Sequence, residues 1–398
     1  MEREPSARWW VLGNVFAMNF VATGVAWTYV VVLVAPILAD HGLALRDWGV
    51  LWSGLSLGAL LGALPAGALG DRYGVRRVVA LGALAMALTL ALRGVAPGFA
   101  TLLGAMVLYG ITLSLVATNL PKALGLWFPA GELGLANGIA LGGNGAGQGL
   151  AAFAAPLVLG RVGGWRGLTF AIAVGVAALA LVWSAMVRDR GEAAGAAASS
   201  VFAGLGAALR VRDVWLVAAS YFFFLAGYLG VVSYLPTYLS SVRGLAPAEA
   251  GGMLTLVLAA FVVGSLTLPG LSDRLGLRRA VYVPGIALAA AMVFASSAVV
   301  GAPLAGVMVV WGLAAGVVAL VFAVPLELAS VGPALAGSAL GATLMAGFLG
   351  GFVSPIVGLA LAEREPLWAF AFWAGCYGLS ALAFFLLPET GPRAASPR

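Results

Sequence analysis

Twelve apolar stretches, each long enough to cross a bilayer, follow one another along this chain: 9–37, 47–69, 77–95, 99–121, 132–159, 165–187, 214–239, 249–271, 279–301, 303–327, 334–361 and 367–387. A hydrocarbon core of about 30 Å takes about 20 apolar residues as a helix, the form that satisfies its own backbone within one segment. The stretches therefore predict an all-α membrane protein. The charge supply agrees, since 21 basic and 15 acidic residues in 398 cannot cover a soluble surface of that size. A soluble enzyme is excluded. Fifty-six glycines suit helices that pack backbone to backbone in lipid. One cysteine (Cys376) excludes an internal disulfide or a cysteine metal cluster, and one histidine (His41) excludes a multi-histidine metal site.

The net charge of +6 reads as topology rather than as affinity for nucleic acid. An even number of spans places both termini on one side. With the termini inside, only Arg46, Arg93, Arg161, Arg166, Arg243 and Arg364 fall outside, and the other fifteen basic residues are cytoplasmic. That bias is the one inner-membrane proteins carry. The stretch from Trp9 to about Asp40 is too long for a cleaved signal segment and is expected to be a retained first span.

The longest break, 188–213, is rich in Ala, Gly and Ser with basic residues at each end. It reads as a cytoplasmic linker, part of which could lie as an interfacial helix. It divides the chain into six-span bundles at 1–187 and 214–398. The two parts repeat one another. Asp71-Arg72-Tyr73-Gly74-Val75-Arg76-Arg77 returns as Asp273-Arg274-Leu275-Gly276-Leu277-Arg278-Arg279, 202 residues later, and at that same offset Gly42 falls on Gly244, Asp47 on Glu249 and Gly49 on Gly251. Pro121 and Pro129 match Pro325 and Pro333 at an offset of 204. A parallel repeat of this kind is how secondary transporters build a midplane site between two halves.

With Gly67 ahead of it, the first heptapeptide resembles the loop 2–3 signature of the major facilitator superfamily, G-x-x-x-D-R-x-G-x-R-R; the second copy departs at the leading Gly, where Pro269 stands. Gly164-Trp165-Arg166 before span 6 and Pro388-Glu389-Thr390 after span 12 extend the resemblance over the whole chain. It implies that fold: twelve transmembrane helices as two six-helix bundles related by pseudo-twofold symmetry, carrying a small-molecule substrate by alternating access. It also implies a cytoplasmic gate made of Asp71, Arg72, Arg76, Asp273, Arg274, Arg278 and Glu327. Glu327 is similar to the Glu that sugar porters place at the inner end of span 10, and the resemblance makes it a partner for Arg278 or Arg279. Two other readings stand beside this: solvated loop charges that only set topology, and Glu327 as a proton or substrate site.

Span 5 carries Asn137, Asn144 and Gln148 on one face among many glycines. Asn144 and Gln148 fall near the bilayer centre, where an amide facing lipid is costly, so they are expected to face a cavity or another helix. The glycines fit close packing against span 8, or close approach of a ligand. Gly143-Asn144-Gly145 resembles the glycine-rich span 5 of nitrate/nitrite porters. Those porters also clamp an anion with an Arg in span 2 and another in span 8; here both spans lack an internal Arg or Lys, which argues against nitrate. In the superfamily spans 1, 4, 7 and 10 line the cavity, which assigns a wall role to Asn19, Thr23, Tyr109, Thr112, Tyr221, Tyr228 and Trp311. Trp9, Trp10, Trp48, Trp165 and Trp368 read as an interface belt.

Arg93 is the one ionised residue well within an apolar run, and it is expected to snorkel to the outer interface. Asp40, Asp47 and Glu327 are the titratable groups near a pathway, all towards span ends. Facilitated diffusion or exchange therefore stands beside coupling to a proton or ion. The expected substrate is a small organic metabolite, uncharged or singly charged. The rival readings are an exporter of apolar compounds, hinted at by Ala155-Pro156 and Gly160, and a non-transporting sensor, against which the short tail after Leu387 argues. No metal, cofactor or nucleic-acid partner is expected, and the protein is expected to be a monomer. In a Cys376→Ser background, single cysteines at positions 71 and 273 should both react with an impermeant thiol reagent from the inner side of oriented vesicles. Labelling from opposite sides would overturn the duplicated topology.

Overall fold

The computed structural model describes residues 5–187 and 206–391, so most of the linker expected at 188–213, with its interfacial helix, lies outside the described residues. The described residues form helices joined by short turns. Pro5–Met18 continues through a π-helical stretch, Asn19–Val25, and one turn, Ala26–Thr28. There follow Val34–His41, Leu45–Tyr73, Val75–Val95, Phe99–Trp127, Ala130–Val158 and Gly164–Met186. Next come Arg212–Ser241, Pro247–Leu275, Arg279–Ala295, Ala302–Ala315 running through a short 3-10 turn into Leu320–Glu327, Gly332–Ala362 and Pro366–Phe385.

Among the described residues, nine helices are long and apolar enough to cross a membrane, and ten if Leu45–Tyr73, bent by 45° around Pro65, is one span. Arg279–Ala295 is apolar but shorter, ending before the expected limit of 301. Ala130–Val158 is long enough, but its glycines and amides lower its hydropathy. The first span also differs from expectation. Its helix stops at Thr28, turns, and resumes at Val34, so 9–37 is two helical pieces rather than one.

The repeat is written in the backbone. Gly42 and its counterpart Gly244 have φ of +63° and +72°, and Gly74 and Gly276 have +87° and +69°. A side chain at these turns would be strained, which is why both copies keep Gly there. Asp47 accepts a hydrogen bond from the Ala44 N–H at 2.8 Å, and Glu249 accepts one from the Ala246 N–H at 3.1 Å. Each carboxylate thus ties the start of its helix.

The chain divides into two compact units: residues 1–196 with 239–255, and residues 197–238 with 256–398. In the first, the glycines of Ala130–Val158 lie against the first helix. A Cβ at Gly147 would sit 2.1 Å from the Phe20 carbonyl oxygen, and one at Gly143 would sit 2.7 Å from that of Phe16. Gly24 returns the contact, since its Cβ would meet the Asn144 carbonyl at 2.6 Å. The expected partner, span 8, meets this helix further along, where Thr255 Oγ1 donates to the Gly149 carbonyl at 3.0 Å. Trp48 and Trp165 are 1% and 4% exposed, so they are packed inside the protein rather than in an interface belt; Trp9, Trp10 and Trp368 are exposed. Gly147→Val should push two backbones apart and cost about 1–3 kcal/mol. A thermal midpoint unchanged from wild type would contradict the packing.

Candidate functional site

The polar site of the first unit is built where the first helix loses its regular winding. Asn19 Nδ2 donates to the Val15 carbonyl at 3.1 Å, and Thr23 Oγ1 to the Asn19 carbonyl at 2.8 Å. Side chains that bond into the helix ladder loosen it, and Asn19–Val25 is π-helical. Such stretches recur at functional sites. From Ala130–Val158, Asn144 Nδ2 donates to Thr23 Oγ1 at 2.7 Å, and Gln148 Nε2 donates to Asn144 Oδ1 at 2.6 Å. Four residues expected in a cavity wall thus form one directed chain: Gln148, Asn144, Thr23, Asn19. Asn19, Asn144 and Gln148 are half-buried and Thr23 is buried. The second N–H of each amide and the Gln148 carboxamide oxygen lie outside the chain. They can offer donors and an acceptor to a solute. Asn137 does not join, because its Nδ2 bonds back to the Leu133 carbonyl.

Tyr109 and Thr112 are fully packed. The Tyr109 hydroxyl donates to the Ala22 carbonyl of the π-helical stretch at 3.1 Å, and Thr112 Oγ1 donates to the Tyr109 carbonyl at 2.9 Å. They hold the irregular stretch from behind. In the second unit, half-buried Tyr221 and Tyr228 flank Phe224 in a stacked row, with ring centroids 6.3 and 5.8 Å from it. Phe322 meets Tyr221 at 5.1 Å, and Phe261 meets Tyr228 at 5.2 Å. Trp311 is buried, and its Nε1 donates to the Tyr377 hydroxyl at 3.2 Å. Tyr377 comes from the last helix, which sequence reasoning had left out of the wall.

The gate candidates form a different pattern in each unit. Asp71 does not clamp the arginines that follow it; it pairs with Lys122, whose Nζ also donates to the carbonyl of Gly67 at 2.9 Å. Arg76 donates to the Ser184 carbonyl, and Arg72 lies over the Tyr73 ring at 5.2 Å. In the second unit Arg278 bridges Asp273 and Glu327, with its Nη2 2.6 Å from Glu327 Oε1. The hydrogen bond to Glu327 first, then that to Asp273, raises the Arg278 pKa against the opposing effect of burial. Glu389, from the Pro-Glu-Thr run, accepts from the backbone N–H of Arg278 and of Arg279. Arg274 is exposed. Lys122 follows Pro121 and Glu327 lies two residues after Pro325, the matched prolines. The signs of the two latches are therefore exchanged: an acid held by a base on the fourth span, a base held by an acid on the tenth.

At the other end of the first unit, Trp165 Nε1 and Arg166 Nε converge on Asp40 Oδ2 at 3.0 and 2.9 Å, and Arg166 Nη1 reaches the Gly94 carbonyl at 2.6 Å. Arg166 first and Trp165 second hold the Asp40 carboxyl below the usual carboxylate range. Arg93 corrects its expectation most sharply. It is 1% exposed and has not snorkelled; its guanidinium lies over the ring of Tyr109 at 4.7 Å and donates through Nη1 to the Tyr29 hydroxyl at 3.2 Å. The available sequence signal was its isolation in an apolar run.

The family model of the Major Facilitator Superfamily matches residues 15–355. The chain belongs to that superfamily. It is a secondary transporter of small molecules, a multi-pass membrane protein of the alternating-access fold. It is 29% identical over 278 residues to the probable nitrate/nitrite transporter NarK2 of Mycobacterium tuberculosis, covering 68% of each chain. It is 30% identical over 293 residues to the probable nitrate/nitrite antiporter NarK1 of Thermus thermophilus, covering 69% of this chain and 62% of that one. In fold it is similar to a bacterial homologue of the human lysosomal transporter Spinster in an inward-facing, unoccupied conformation (TM-score 0.78, 16% identity, 97% and 96% of the chains). The nucleoside transporter NupG gives a TM-score of 0.79 at 16% identity, over 94% and 99%.

Thr23→Val removes the link between the two helices and leaves the Asn144 N–H without its acceptor. A loss of about 1–3 kcal/mol is expected, read as a lower thermal midpoint. Undiminished stability would mean the chain of amides carries no weight.

Proposed function

We propose that this protein exchanges a small polar solute across the inner membrane, with both termini cytoplasmic, as a monomer and without chemical conversion of its cargo. The observation that carries the reading is the directed amide chain from Gln148 to Asn19 on a π-helical stretch, with hydrogen-bonding capacity left over at its half-buried end. In the second unit Tyr221 and Tyr228 add aromatic faces that suit a flat solute. Tyr109, Thr112 and Trp311 support these surfaces from behind. The six-span bundles 1–187 and 214–398, joined by the linker 188–213, each keep one charged latch at the cytoplasmic end. Asp71 with Lys122, and Arg278 with Asp273 and Glu327, are gate contacts that break when the carrier opens inward, while Arg72, Arg76 and Arg274 set the charge around them. The names of the relatives put small anions first among solutes to test.

The titratable candidates for proton coupling have structural employment: Asp47 ties a helix start, Glu327 pairs with Arg278, and Asp40 holds Trp165 and Arg166. Exchange without an obligatory proton is the simpler reading. Counterflow in proteoliposomes tests it. Loaded vesicles should accumulate labelled nitrate, nitrite or a small metabolite with no imposed gradient, and Asp71→Asn should slow that exchange at least tenfold while leaving folded yield largely intact. Failure to exchange any of a broad panel of solutes would favour a membrane sensor instead.

A further inference from the structure

Arg93 lies in the last turn of Val75–Val95 with 1% of its surface exposed. Among the described residues it has no carboxylate partner within ion-pair distance. A buried cation left in that state is strongly disfavoured, and the two tyrosine rings offset only part of the loss. The way its donors are used matters more. Nη1 is spent on Tyr29, while Nε and Nη2 are buried with no partner. Those two nitrogens form the side edge of the guanidinium, whose parallel N–H bonds match two oxygens of a planar oxyanion.

The neighbouring hydroxyls do not fill that edge. Arginine only donates, so the Tyr29 oxygen accepts from it. The Tyr29 proton then goes to Thr169 Oγ1 at 2.9 Å, and the Thr169 proton to the Trp165 carbonyl at 2.8 Å. The Tyr109 hydroxyl is committed to Ala22. These oxygens could still accept, but none lies within hydrogen-bond reach of Nε or Nη2, so the edge remains open. Tyr29 itself stands in the non-helical turn between Thr28 and Val34 and lines a cavity of about 110 Å³ together with Val25, Leu168 and Ile172. One partner of the guanidinium thus comes from a turn of the first span rather than from a regular helix.

We propose that Arg93 is an anion-binding residue of the first unit, its Nε/Nη2 edge taking a planar oxyanion, a small carboxylate or a nitrate-type ion, through two parallel hydrogen bonds. The edge is buried in the present conformation, so binding accompanies a local opening around it. This rests on the carrier reading above and gives its cargo a charge. It also supplies, from the third span, a cation that the second and eighth spans lack.

The test uses the purified full chain in detergent at constant ionic strength. Sodium nitrate and sodium formate are titrated in separate arms, with sodium chloride as a spherical control, and thermal unfolding is followed. A ligand that binds the folded state raises the midpoint saturably. Nitrate, formate or both should do so, and whichever arm responds at lower concentration names the source; chloride should need at least tenfold more. Arg93→Gln should abolish the saturable rise. Arg93→Lys keeps the charge but not the fork and should weaken it at least tenfold, which decides the matter should the Gln variant not fold. No saturable response in wild type, a response equal to that of chloride, or equal responses in wild type and Arg93→Lys would overturn the proposal. Continued counterflow of uncharged solutes in that event would leave the carrier reading standing.

Discussion

Inside a bilayer, a polar group has to be answered by another group of the same chain, because no water is there to do it. Most of what distinguishes this protein follows from that demand. Its polar residues at depth are few, and several are used in closed local circuits. Tyr282, Ser220 and Ser380 bond one another from three different helices of the second unit, at 3.0 to 3.2 Å. The amides of the fifth span hand their donors to the first. Among the buried side-chain atoms left without a partner, which include the hydroxyls of Thr28, Ser53 and Ser56 and the indole nitrogens of Trp52 and Trp373, the two nitrogens of Arg93 stand apart because they carry the charge of a buried guanidinium.

The two units solve the same problem with different materials. The first offers amides on a helix whose winding has been loosened, linked by directed hydrogen bonds. The second offers aromatic faces, which accept flat or apolar surface with little demand on orientation. At the matched prolines the repeat preserves the position of a charged pair while exchanging the sign of its members. A shared architecture has thus been kept with independent electrostatics in each copy.

How much of this could be read in advance depended on the range over which each residue acts. Gly42, Gly244, Gly74 and Gly276 were visible as a repeat because each answers a purely local need, a turn with positive φ. Asp47 and Glu249 were visible as a matched pair for the same reason, but Asp47 was read as a candidate for proton work rather than as a helix tie. The pairing of Asp71 with Lys122 was not visible, since its members lie 51 residues apart and three arginines stood closer in sequence. Likewise, periodicity placed Asn144 and Gln148 on one face and correctly denied them to lipid, but it could not say that the first helix would be the one to meet them. Arg93 failed differently. Distance along a helix gives depth but not direction, and only the packing of Tyr29 and Tyr109 around it shows that it turns inward.

The contact between Phe20 and Gly147 has one more consequence. The two main chains approach without intervening side chains, so there is no space between them for even one added carbon. The first and fifth spans are thereby packed main chain to main chain over the length of that contact. A side chain added at this contact would force the two main chains apart and pull on the amide chain that links the same two helices.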